Sequence, residues 1–349
     1  MNNRIYILYT GGTIGMQQSP QGYIPMPGLA ELIAQKMPMH LSANMPEYVL
    51  EELDLLIDST NATPMDWHTI AKRIRDNYDQ YDGFIILHGT DTLAYTTSAL
   101  SFMLQDLTKP VIVTGSQIPL CELRNDAQDN LITALVLARH YPIPEVCLYF
   151  NGRLLRGNRS TKVKASGFDA FDSPNYPWLG QVGIHIEIKH EVTRPAATTP
   201  QFSLPPYGQH RIVPLQLFPG IDSEFLQHLL KQPIDGLILQ AYGVGNAPDR
   251  DPLFLKLLEQ ANQQGTVIVN LSQCLYGRVD LSSYATGSAL AQTGVISGFD
   301  MTLEAAFSKL QHLLALDKGC DWVRQQMQLD LCGELTLSVP TQSPANGGN

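Results

Sequence analysis

The sequence predicts an α/β fold with parallel sheets, divided into two domains. Short apolar segments rich in valine, isoleucine and leucine alternate with amphipathic helical patterns, which is typical of parallel strands covered by helices. Within these segments polar and apolar residues do not alternate, as expected for strands buried on both faces. The chain has 349 residues, whereas a single hydrophobic core rarely grows beyond about 250–300 residues. Two domains are therefore expected.

The individual elements follow from these patterns in chain order. Residue Thr63 offers a capping hydroxyl, Pro64 suits a first helical turn and Asp66 suits a helix N-terminus, so a helix is predicted directly after them. Predicted helices cover residues 27–37, 65–78, 92–104 and 302–316. Predicted strands cover residues 5–9, 83–87, 110–113, 145–150, 236–239 and 266–270.

A proline-rich segment marks the predicted domain boundary. Residues 189–212 contain four prolines among Thr, Ala, Gln and His and break the alternating pattern, so we predict a linker there. The predicted domains are residues 1–188 and 213–337. Residues 338–349 are rich in Ser, Pro, Gly and Asn, which predicts a disordered tail.

Charge and cysteine content exclude several classes of protein. The net charge of −10 and the pI of about 5.3 argue against a nucleic-acid partner, since phosphate backbones would be repelled. The five cysteines are odd in number and form no CxxC pair, which favours a reducing cytosol. The first predicted strand leaves no room for a signal peptide, and no apolar run approaches the ~20 residues of a membrane span. We predict a soluble, cytoplasmic protein without a membrane partner.

Small polar residues follow three of the predicted strands. Thr10 to Thr13 follow the first, His88 to Thr92 the second, and Thr114 to Ser116 the third. In open α/β sheets ligands bind outside the carboxyl ends of the strands. Hydroxyls and glycines gathered at that edge predict a polar pocket for a small substrate.

Several common motifs are absent, and their absence narrows the chemistry. The chain has no GxxxxGK[ST] phosphate loop, no GxSxG elbow and no HExxH pair. Residues 243–248 approach GxGxxG but lack the last glycine, so a loop is favoured over a dinucleotide site. A lone histidine such as His88 is more often a structural hydrogen-bonding group than a metal ligand. No metal or cofactor is predicted.

Thr13 is the candidate nucleophile. It follows Gly11 and Gly12, which permit turns and close approach of a ligand to the main chain. A threonine hydroxyl is a weak nucleophile that needs a base and a group to orient that base. Asp91, beside Thr90, supplies a carboxylate at a neighbouring strand end. Lys162 lies in a polar loop, and a lysine kept neutral by burial or nearby charges could take up the proton.

Each of these residues also has a plainer interpretation. A threonine after two glycines is more often a turn residue than a nucleophile. Asp91 would equally suit the N-terminus of the helix at 92–104, and a single lysine such as Lys162 is more often a solvated surface residue. The residues by themselves place an enzyme with a hydroxyl nucleophile only slightly ahead of a small-molecule binding protein.

Five segments in order resemble the asparaginase family. Residues 10–15, TGGTIG, resemble its N-terminal signature, and residues 87–92, LHGTDT, resemble its second signature. Residues 58–60, 114–117 and 159–162 fall in family order, and the match runs from about residue 4 to residue 336. The chain is most similar to the cytoplasmic bacterial type I L-asparaginases. The resemblance implies a larger N-terminal parallel-sheet α/β domain, a smaller C-terminal α/β domain, and hydrolysis of L-asparagine to L-aspartate and ammonia without metal or cofactor.

The resemblance also implies roles for particular residues. Thr13 falls at the nucleophile position and Tyr23 at that of a lid tyrosine, although some accounts of the family give Thr90 and a water the larger part. The implied catalytic residues are Thr13, Tyr23, Thr90, Asp91 and Lys162. The implied substrate-binding residues are Asp58, Ser59, Thr60, Gly89, Thr90, Asp91 and Ser116. Main chain around Gly12 and Thr90 would supply donors to the tetrahedral oxyanion.

Type I members have a second, activating asparagine site in the C-terminal half. The corresponding residues are Gln240, Ala241, Tyr242, Ser272, Gln273 and Cys274. Close relatives place an arginine where this chain has Gln240, and glutamine cannot replace the charge of a bidentate carboxylate partner. This departure argues against intact activation, and Cys274 would equally fit as a small buried residue after a strand. The family assembles as homodimers or homotetramers whose active sites lie between subunits.

Three other functions compete with this one, and the sequence argues against two of them. A glutaminase-asparaginase is possible because one extra methylene in the substrate is worth only about 1–3 kcal/mol of discrimination. The tRNA-dependent amidotransferase relatives carry an additional N-terminal domain, whereas the first strand here is predicted almost at once. A non-catalytic amino-acid sensor would be expected to have lost a catalytic position, and all five are present.

Overall fold

The computed structural model describes residues 4–20, 22–36, 45–281 and 285–337. The predicted disordered tail, 338–349, lies outside them. In chain order the strands are β1 (Arg4–Gly11), β2 (Met16–Ser19), β3 (Gly22–Pro25), β4 (Glu47–Ile57), β5 (Gly83–Leu87), β6 (Leu104–Gln105), β7 (Val111–Thr114), β8 (Val146–Phe150), β9 (Arg153–Arg156), β10 (Thr161–Lys162), β11 (Phe171–Asp172), β12 (Gly180–Val182), β13 (Ile186–Ile188), β14 (Gln201–Phe202), β15 (Ile212–Gln216), β16 (Gly236–Ala241), β17 (Val267–Ser272) and β18 (Ile296–Ser297). The helices are α1 (Leu29–Lys36), α2 (Pro64–Asn77), α3 (Leu93–Met103), α4 (Ala127–His140), α5 (Ser223–Leu229), α6 (Pro252–Gln263), α7 (Ala285–Gln292), α8 (Leu303–Ala315) and α9 (Cys320–Met327).

The larger sheet has eight strands in the order β13-β12-β9-β8-β7-β5-β1-β4. Strands β8, β7, β5, β1 and β4 are parallel, as predicted. The prediction of a parallel sheet is wrong for β9, β12 and β13, which pair antiparallel. The cause is local: Asn151 and Gly152 form a two-residue turn with φ of 45° and 80°, the geometry of a tight hairpin that returns the chain beside β8.

The smaller sheet lies in the C-terminal half and is parallel throughout, in the order β15-β16-β17-β18. Both sheets are covered by helices on two faces. In β1, Tyr6 and Leu8 pack towards α2 and α3, whereas Ile5 and Ile7 pack towards α1 and α4. Burial of alternate residues on opposite faces explains why the strands read as continuous apolar runs. The α/β class with a larger N-terminal and a smaller C-terminal sheet is confirmed.

The predicted helices and strands lie within a few residues of α1, α2, α3 and α8 and of β1, β5, β7, β8, β16 and β17. The other observed elements were not predicted, among them the long strand β4 and the helices α4, α5, α6, α7 and α9. The helix at 65–78 is α2, and the Asp66 carboxylate accepts a hydrogen bond from the Thr63 amide at 2.7 Å, as its capping pattern requires. Strand β4 lies at an edge of the sheet, and its four acidic residues interrupt the apolar pattern. None of the helices that the structure describes is long and apolar enough to cross a membrane.

Residues 330–336, which we call the C-terminal segment, lie between the two halves of the chain. Its Glu334 forms a fully buried ion pair with Lys309 of α8, with Nζ and Oε1 2.6 Å apart. The Gly333 carbonyl accepts from Nε of Arg159 at 2.7 Å, and Arg159 also pairs with Asp300 at 2.9 Å. The segment therefore bears directly on the loop that precedes Lys162.

The predicted linker, 189–212, contains ordered contacts as well as loop. Phe202 of β14 pairs with Leu104 of β6, and the buried Tyr207 hydroxyl hydrogen-bonds to His312 in α8. The boundaries of the two domains stay a prediction.

Candidate active site

The candidate site lies where β7, β5, β1 and β4 end, because these four strands are neighbours in the larger sheet. Polar residues follow each strand end: Gln117 after β7, Thr90 after β5, Thr13 after β1 and Ser59 after β4. Parallel strands deliver their carboxyl ends to one edge. The predicted gathering of hydroxyls and glycines at that edge is present.

Glycines let these strand ends approach one another with main chain against main chain. Gly12 has φ 88°, and a Cβ built on it would lie 2.2 Å from the Gly89 nitrogen. A Cβ on Gly89 would lie 2.4 Å from the Ser59 hydroxyl oxygen. Both distances are far inside van der Waals contact, so only glycine fits at either position. The segments carrying Thr13, Thr90 and Ser59 are thereby held in fixed contact.

Thr90, Asp91 and Lys162 form one hydrogen-bonded cluster. The Lys162 ammonium donates to Thr90 Oγ1 at 3.0 Å and to Asp91 Oδ1 at 2.7 Å. Lys162 lies in β10 and its side chain is 19% exposed, whereas that of Asp91 is 55% exposed. A hydroxyl, an amine and a carboxylate in contact can share and transfer a proton, which is what a weak hydroxyl nucleophile requires.

Gln117, which was not predicted as a site residue, completes this cluster. The Thr90 hydroxyl donates to Gln117 Oε1 at 3.2 Å. On its other side, Gln117 Nε2 donates to the carbonyls of Ala165 and Gly167 at 3.3 and 3.0 Å. The sequence signal was present, because Gln117 closes the segment 114–117 that resembles the family.

Thr13 stands apart from that cluster. It begins a 3-10 turn, Thr13–Gly15, directly after Gly12. The turn is tied to the rest of the domain by the Leu120 amide, which donates to the Ile14 carbonyl at 3.1 Å. Thr13 is half-buried, and within the described residues its hydroxyl has no hydrogen-bond partner. The hydroxyl is thus positioned by main chain alone.

Strands β2 and β3 form an antiparallel hairpin, Met16 to Pro25, which we call the lid hairpin. It packs against the turn that carries Thr13. Tyr23 on β3 is 44% exposed, and its hydroxyl donates to Glu122 Oε1 at 2.5 Å. This hydrogen bond raises the pKa of Tyr23. Tyr23 is therefore held on Glu122, a residue that sequence reasoning missed, and makes no hydrogen bond to Thr13.

Two further contacts anchor the chain at the ends of the lid hairpin. Cys121 Sγ donates to the Met16 carbonyl at 3.5 Å. Beyond β3, the Glu52 carboxylate accepts from the Gly28 and Leu29 amides at the start of α1, the shorter bond being 2.7 Å. The hairpin is therefore anchored near both of its ends.

The remaining predicted binding residues occupy structural positions around the site. Asp58 Oδ1 accepts from the Thr60 amide at 3.2 Å, and the carbonyl of buried Ser59 accepts from the Thr92 hydroxyl at 2.7 Å. Ser116 is fully buried, and its hydroxyl has no partner within the described residues. The segment 58–60 therefore lies against the Thr90 strand end, whereas Ser116 is enclosed in the protein interior.

His88 is buried beside the site, and both its ring nitrogens are engaged. Nδ1 hydrogen-bonds to the Gly89 carbonyl at 2.8 Å and Nε2 to the Thr96 hydroxyl at 3.0 Å. Burial lowers the pKa of His88. These contacts support the structural interpretation of this histidine.

Several of the residues predicted for a regulatory site line a cavity of about 180 Å³ between the two halves of the chain. Gln240, Ser272, Gln273 and Cys274 lie in its wall, whereas Ala241 and Tyr242 do not. Gln273 Nε2 donates to the Gln240 carbonyl at 2.8 Å.

Opposite them, Thr161 and Glu304 complete the cavity wall. The Thr161 hydroxyl donates to Glu304 Oε1 at 2.6 Å. Burial raises the pKa of Glu304. Because Thr161 directly precedes Lys162, the wall of this cavity and the candidate active site are formed by consecutive residues of β10.

Comparisons with known proteins assign both halves of the chain to the same family. A family model described as "Asparaginase, N-terminal" matches residues 4–194, and one described as "Glutaminase/Asparaginase C-terminal domain" matches residues 211–327. The chain is 51% identical over 342 residues to a protein named L-asparaginase 1 from Escherichia coli (strain K12), covering 95% of this chain and 98% of that protein.

Two solved structures show the same likeness. The fold superposes on L-asparaginase I from Vibrio cholerae with a TM-score of 0.88 and 49% identity, covering 96% of this chain and 99% of that one. It superposes on the thermostable L-asparaginase from Thermococcus kodakarensis with a TM-score of 0.86 and 34% identity, covering 96% and 100% of the two chains.

Proposed function

We propose, from the premise that this chain belongs to the asparaginase family, that it is an L-asparaginase. It hydrolyses the side-chain amide of L-asparagine to L-aspartate and ammonia. The observation that carries this assignment is the cluster of Thr90, Asp91 and Lys162 at the same strand edge as Thr13. That cluster supplies the proton-transfer groups that amide hydrolysis by a hydroxyl requires.

In the proposed reaction the Thr13 oxygen attacks the amide carbon of the substrate. A C–O bond forms, the C–N bond breaks, and ammonia leaves with a proton delivered from the site. Water then hydrolyses the aspartyl ester, which restores the Thr13 hydroxyl and releases aspartate. The unengaged, half-buried hydroxyl of Thr13 supports this role, since no existing hydrogen bond must be broken before attack.

The charges of the substrate match the groups around the site. Asparagine carries an α-ammonium and an α-carboxylate. Asp91 is half exposed and uses only Oδ1 to bind Lys162, which leaves Oδ2 for the α-ammonium. Ser59 and nearby main chain would bind the α-carboxylate. Main chain at the close contact of Gly12 and Gly89 would receive the tetrahedral oxyanion.

Closure of the lid hairpin would complete the arrangement. Tyr23 donates its proton to Glu122, so its oxygen keeps lone pairs that can accept the Thr13 proton once the two side chains meet. A lid that closes over bound substrate also excludes water before the ester has formed.

A glutaminase-asparaginase is the second candidate. It uses the same cluster and differs only in whether the pocket admits one more methylene, worth about 1–3 kcal/mol of discrimination. A non-catalytic sensor is disfavoured because Thr13, Tyr23, Thr90, Asp91 and Lys162 are all retained.

We also propose a homo-oligomer, dimer or tetramer, and a regulatory role for the cavity at Gln240 and Cys274. The cavity wall carries Gln240, a neutral side chain, so we expect weak activation by asparagine at most. Light scattering of the purified protein tests the assembly. A hyperbolic rate curve that Cys274→Ala leaves unchanged would count against the regulatory role.

The deciding experiment is ammonia release from L-asparagine and L-glutamine by the wild type, Thr13→Ala and a control, Thr193→Ala. Among the described residues, the Thr193 hydroxyl hydrogen-bonds only to the His190 carbonyl, which is not a residue of the candidate site. We expect release by wild type and control, and a loss of at least ~10³-fold in Thr13→Ala. No release from either substrate by folded wild type contradicts the function. Full activity in Thr13→Ala removes Thr13 as the nucleophile.

A further inference from the structure

Gln117 joins the catalytic cluster to the loop that follows Lys162. Its Oε1 accepts from Thr90, and its Nε2 donates to Ala165 and Gly167, which lie in the loop between β10 and β11. Because Lys162 is in β10, the glutamine connects Thr90 to the lysine's own hairpin. The three bonds use both ends of the amide.

These contacts fix the direction of every hydrogen bond in the cluster. A main-chain carbonyl can only accept, so the NH₂ end of Gln117 must face Ala165 and Gly167. Its Oε1 must then face Thr90 and can only accept, which commits the single hydroxyl proton of Thr90 to Gln117. Lys162 in turn donates to the Thr90 oxygen. The Thr90 proton is therefore directed away from Lys162.

Gln117 is itself held rigidly. The backbone nitrogen of Gln117 lies 3.1 and 3.0 Å from the two carboxylate oxygens of Asp126. The backbone N–H of Ile118 donates to the same carboxylate at 3.0 Å. Asp126 is buried and also accepts from Asn130 at 3.3 Å. A buried carboxylate saturated by donors makes a stiff support, so the side chain above it starts from a fixed backbone.

We propose that Gln117 is a positioning residue that sets the orientation of the Thr90 hydroxyl. Held this way, the Thr90 oxygen presents a lone pair towards the site while its proton is occupied. This inference rests on the proposed asparaginase function and concerns a residue that acts through Thr90. Removing the amide takes away the acceptor of the Thr90 proton and frees the hydroxyl to rotate.

The first test is Gln117→Met, which keeps the side-chain length but removes both hydrogen-bonding ends. A cavity of about 420 Å³ adjoins Gln117, so a methionine has room there. Because the glutamine binds Thr90, we expect kcat to fall roughly 10- to 100-fold with KM within threefold of wild type. Gln105→Met is the matched control, since Gln105 is also half-buried and loses one bond, to the Phe102 carbonyl. It should retain wild-type kcat.

The second test, Gln117→Glu, separates orientation from packing through pH. A protonated carboxyl has a donor and an acceptor, as the amide has, whereas a carboxylate would repel the Ala165 and Gly167 carbonyls. The ratio of variant to wild-type kcat should therefore rise as the pH falls and the introduced carboxyl takes up its proton. A merely structural role would lower the melting temperature without this trend in kcat.

The outcomes divide cleanly. If wild type releases ammonia while Gln117→Met keeps kcat within twofold, or the Gln117→Glu ratio is flat with pH, the positioning role is wrong and the asparaginase function stands. If wild type releases no ammonia, the proposed function itself fails. A selective loss of kcat in Gln117→Met together with a ratio that rises towards acid pH supports the positioning role.

Discussion

The two threonines of the candidate site stand in opposite environments. Thr90 is nearly enclosed and has a donor, Lys162, and an acceptor, Gln117, on its hydroxyl. Thr13 is half-buried and has no hydroxyl partner within the described residues, and the tyrosine predicted to activate it is held on Glu122. The half of the site around Thr90 is preorganised by side-chain hydrogen bonds, whereas the half around Thr13 is held only by main chain.

This difference suggests a division of labour. Preorganised groups stabilise charge with little rearrangement at the moment of reaction, which suits the cluster around Thr90. A hydroxyl that attacks must be free to move towards its target, which suits Thr13. We expect variants at Thr90 and its neighbours to affect both stability and rate, and variants on the Thr13 side to affect rate alone.

The largest effect is expected from Lys162→Ala, because it removes the single amine that contacts both Thr90 and Asp91 in the cluster. The rate of ammonia release at saturating asparagine should fall by roughly 10³- to 10⁴-fold. Lys164→Ala is the control, since that lysine is two residues away and pairs with Asp169 instead. Equal activity of the two variants would contradict a special role for the preorganised half of the site around Thr90.

An intermediate effect is expected on the lid side. Tyr23→Phe and Glu122→Gln both weaken the contact that positions the phenol, and each should lower kcat by roughly 10- to 100-fold. Because Tyr23 is exposed, the melting temperature should stay unchanged. Tyr141→Phe, in a partly buried tyrosine outside the site, controls for the loss of a hydroxyl. A lowered melting temperature in Tyr23→Phe would show that the lid hairpin contributes to folding stability, as the preorganised half around Thr90 does.

A smaller effect separates the two threonines in stability. Thr90→Ala leaves the Gln117 oxygen and one Lys162 proton without their partner, which should cost about 1–2 kcal/mol of unfolding free energy. Thr13→Ala removes no side-chain hydrogen bond and should leave that free energy within about 0.5 kcal/mol of wild type. Urea titrations of both variants measure the difference. Equal destabilisation of the two variants would contradict the proposed difference between the environments of Thr90 and Thr13.

The smallest effect is a dependence of stability on pH at Glu304, which holds Thr161 beside Lys162. Burial raises the pKa of Glu304, so the folded state binds its proton more readily than the unfolded state. Its favourable contribution is full below the usual glutamate pKa and is lost as the pH rises through the raised value.

Glu304→Gln keeps an acceptor for Thr161 and cannot ionise. The variant should therefore gain melting temperature relative to wild type, by a few degrees, as the pH rises, and the two should converge in acid. Glu187→Gln, on exposed β13, is the control. A constant difference across the pH range would contradict the assignment.

The sequence predicted the parts of the fold that repeat, and missed those that depend on tertiary contacts. Strands β1 and β5 were evident because both faces are buried. The antiparallel return at Asn151 and Gly152 carried a recognisable turn signal, but its strand β9 is only four residues long. The acidic edge strand β4 was missed because a solvent-facing side breaks an apolar run.

The same limit applies to the site. Thr90 and Asp91 adjoin each other at a strand end, so the sequence placed them together. Lys162 is 71 residues from Asp91. The residues alone made it a candidate base, but its grouping with Thr90 and Asp91 came from the resemblance, since no periodicity connects the two. Gln117 and Glu122 were not predicted as site residues. Their partners lie on a loop and a hairpin, and tertiary contacts that local sequence patterns do not predict bring these close.

The C-terminal segment has a consequence for biosynthesis. Arg159, in the loop that precedes Lys162, donates a hydrogen bond to the carbonyl of Gly333, which lies 174 residues further along the chain. A ribosome adding about 5–20 residues per second needs roughly 10–35 s to make that stretch. Every predicted catalytic residue is translated well before this support exists. The contact between Arg159 and Gly333 therefore cannot form until the whole N-terminal half has been made and translation has passed residue 333.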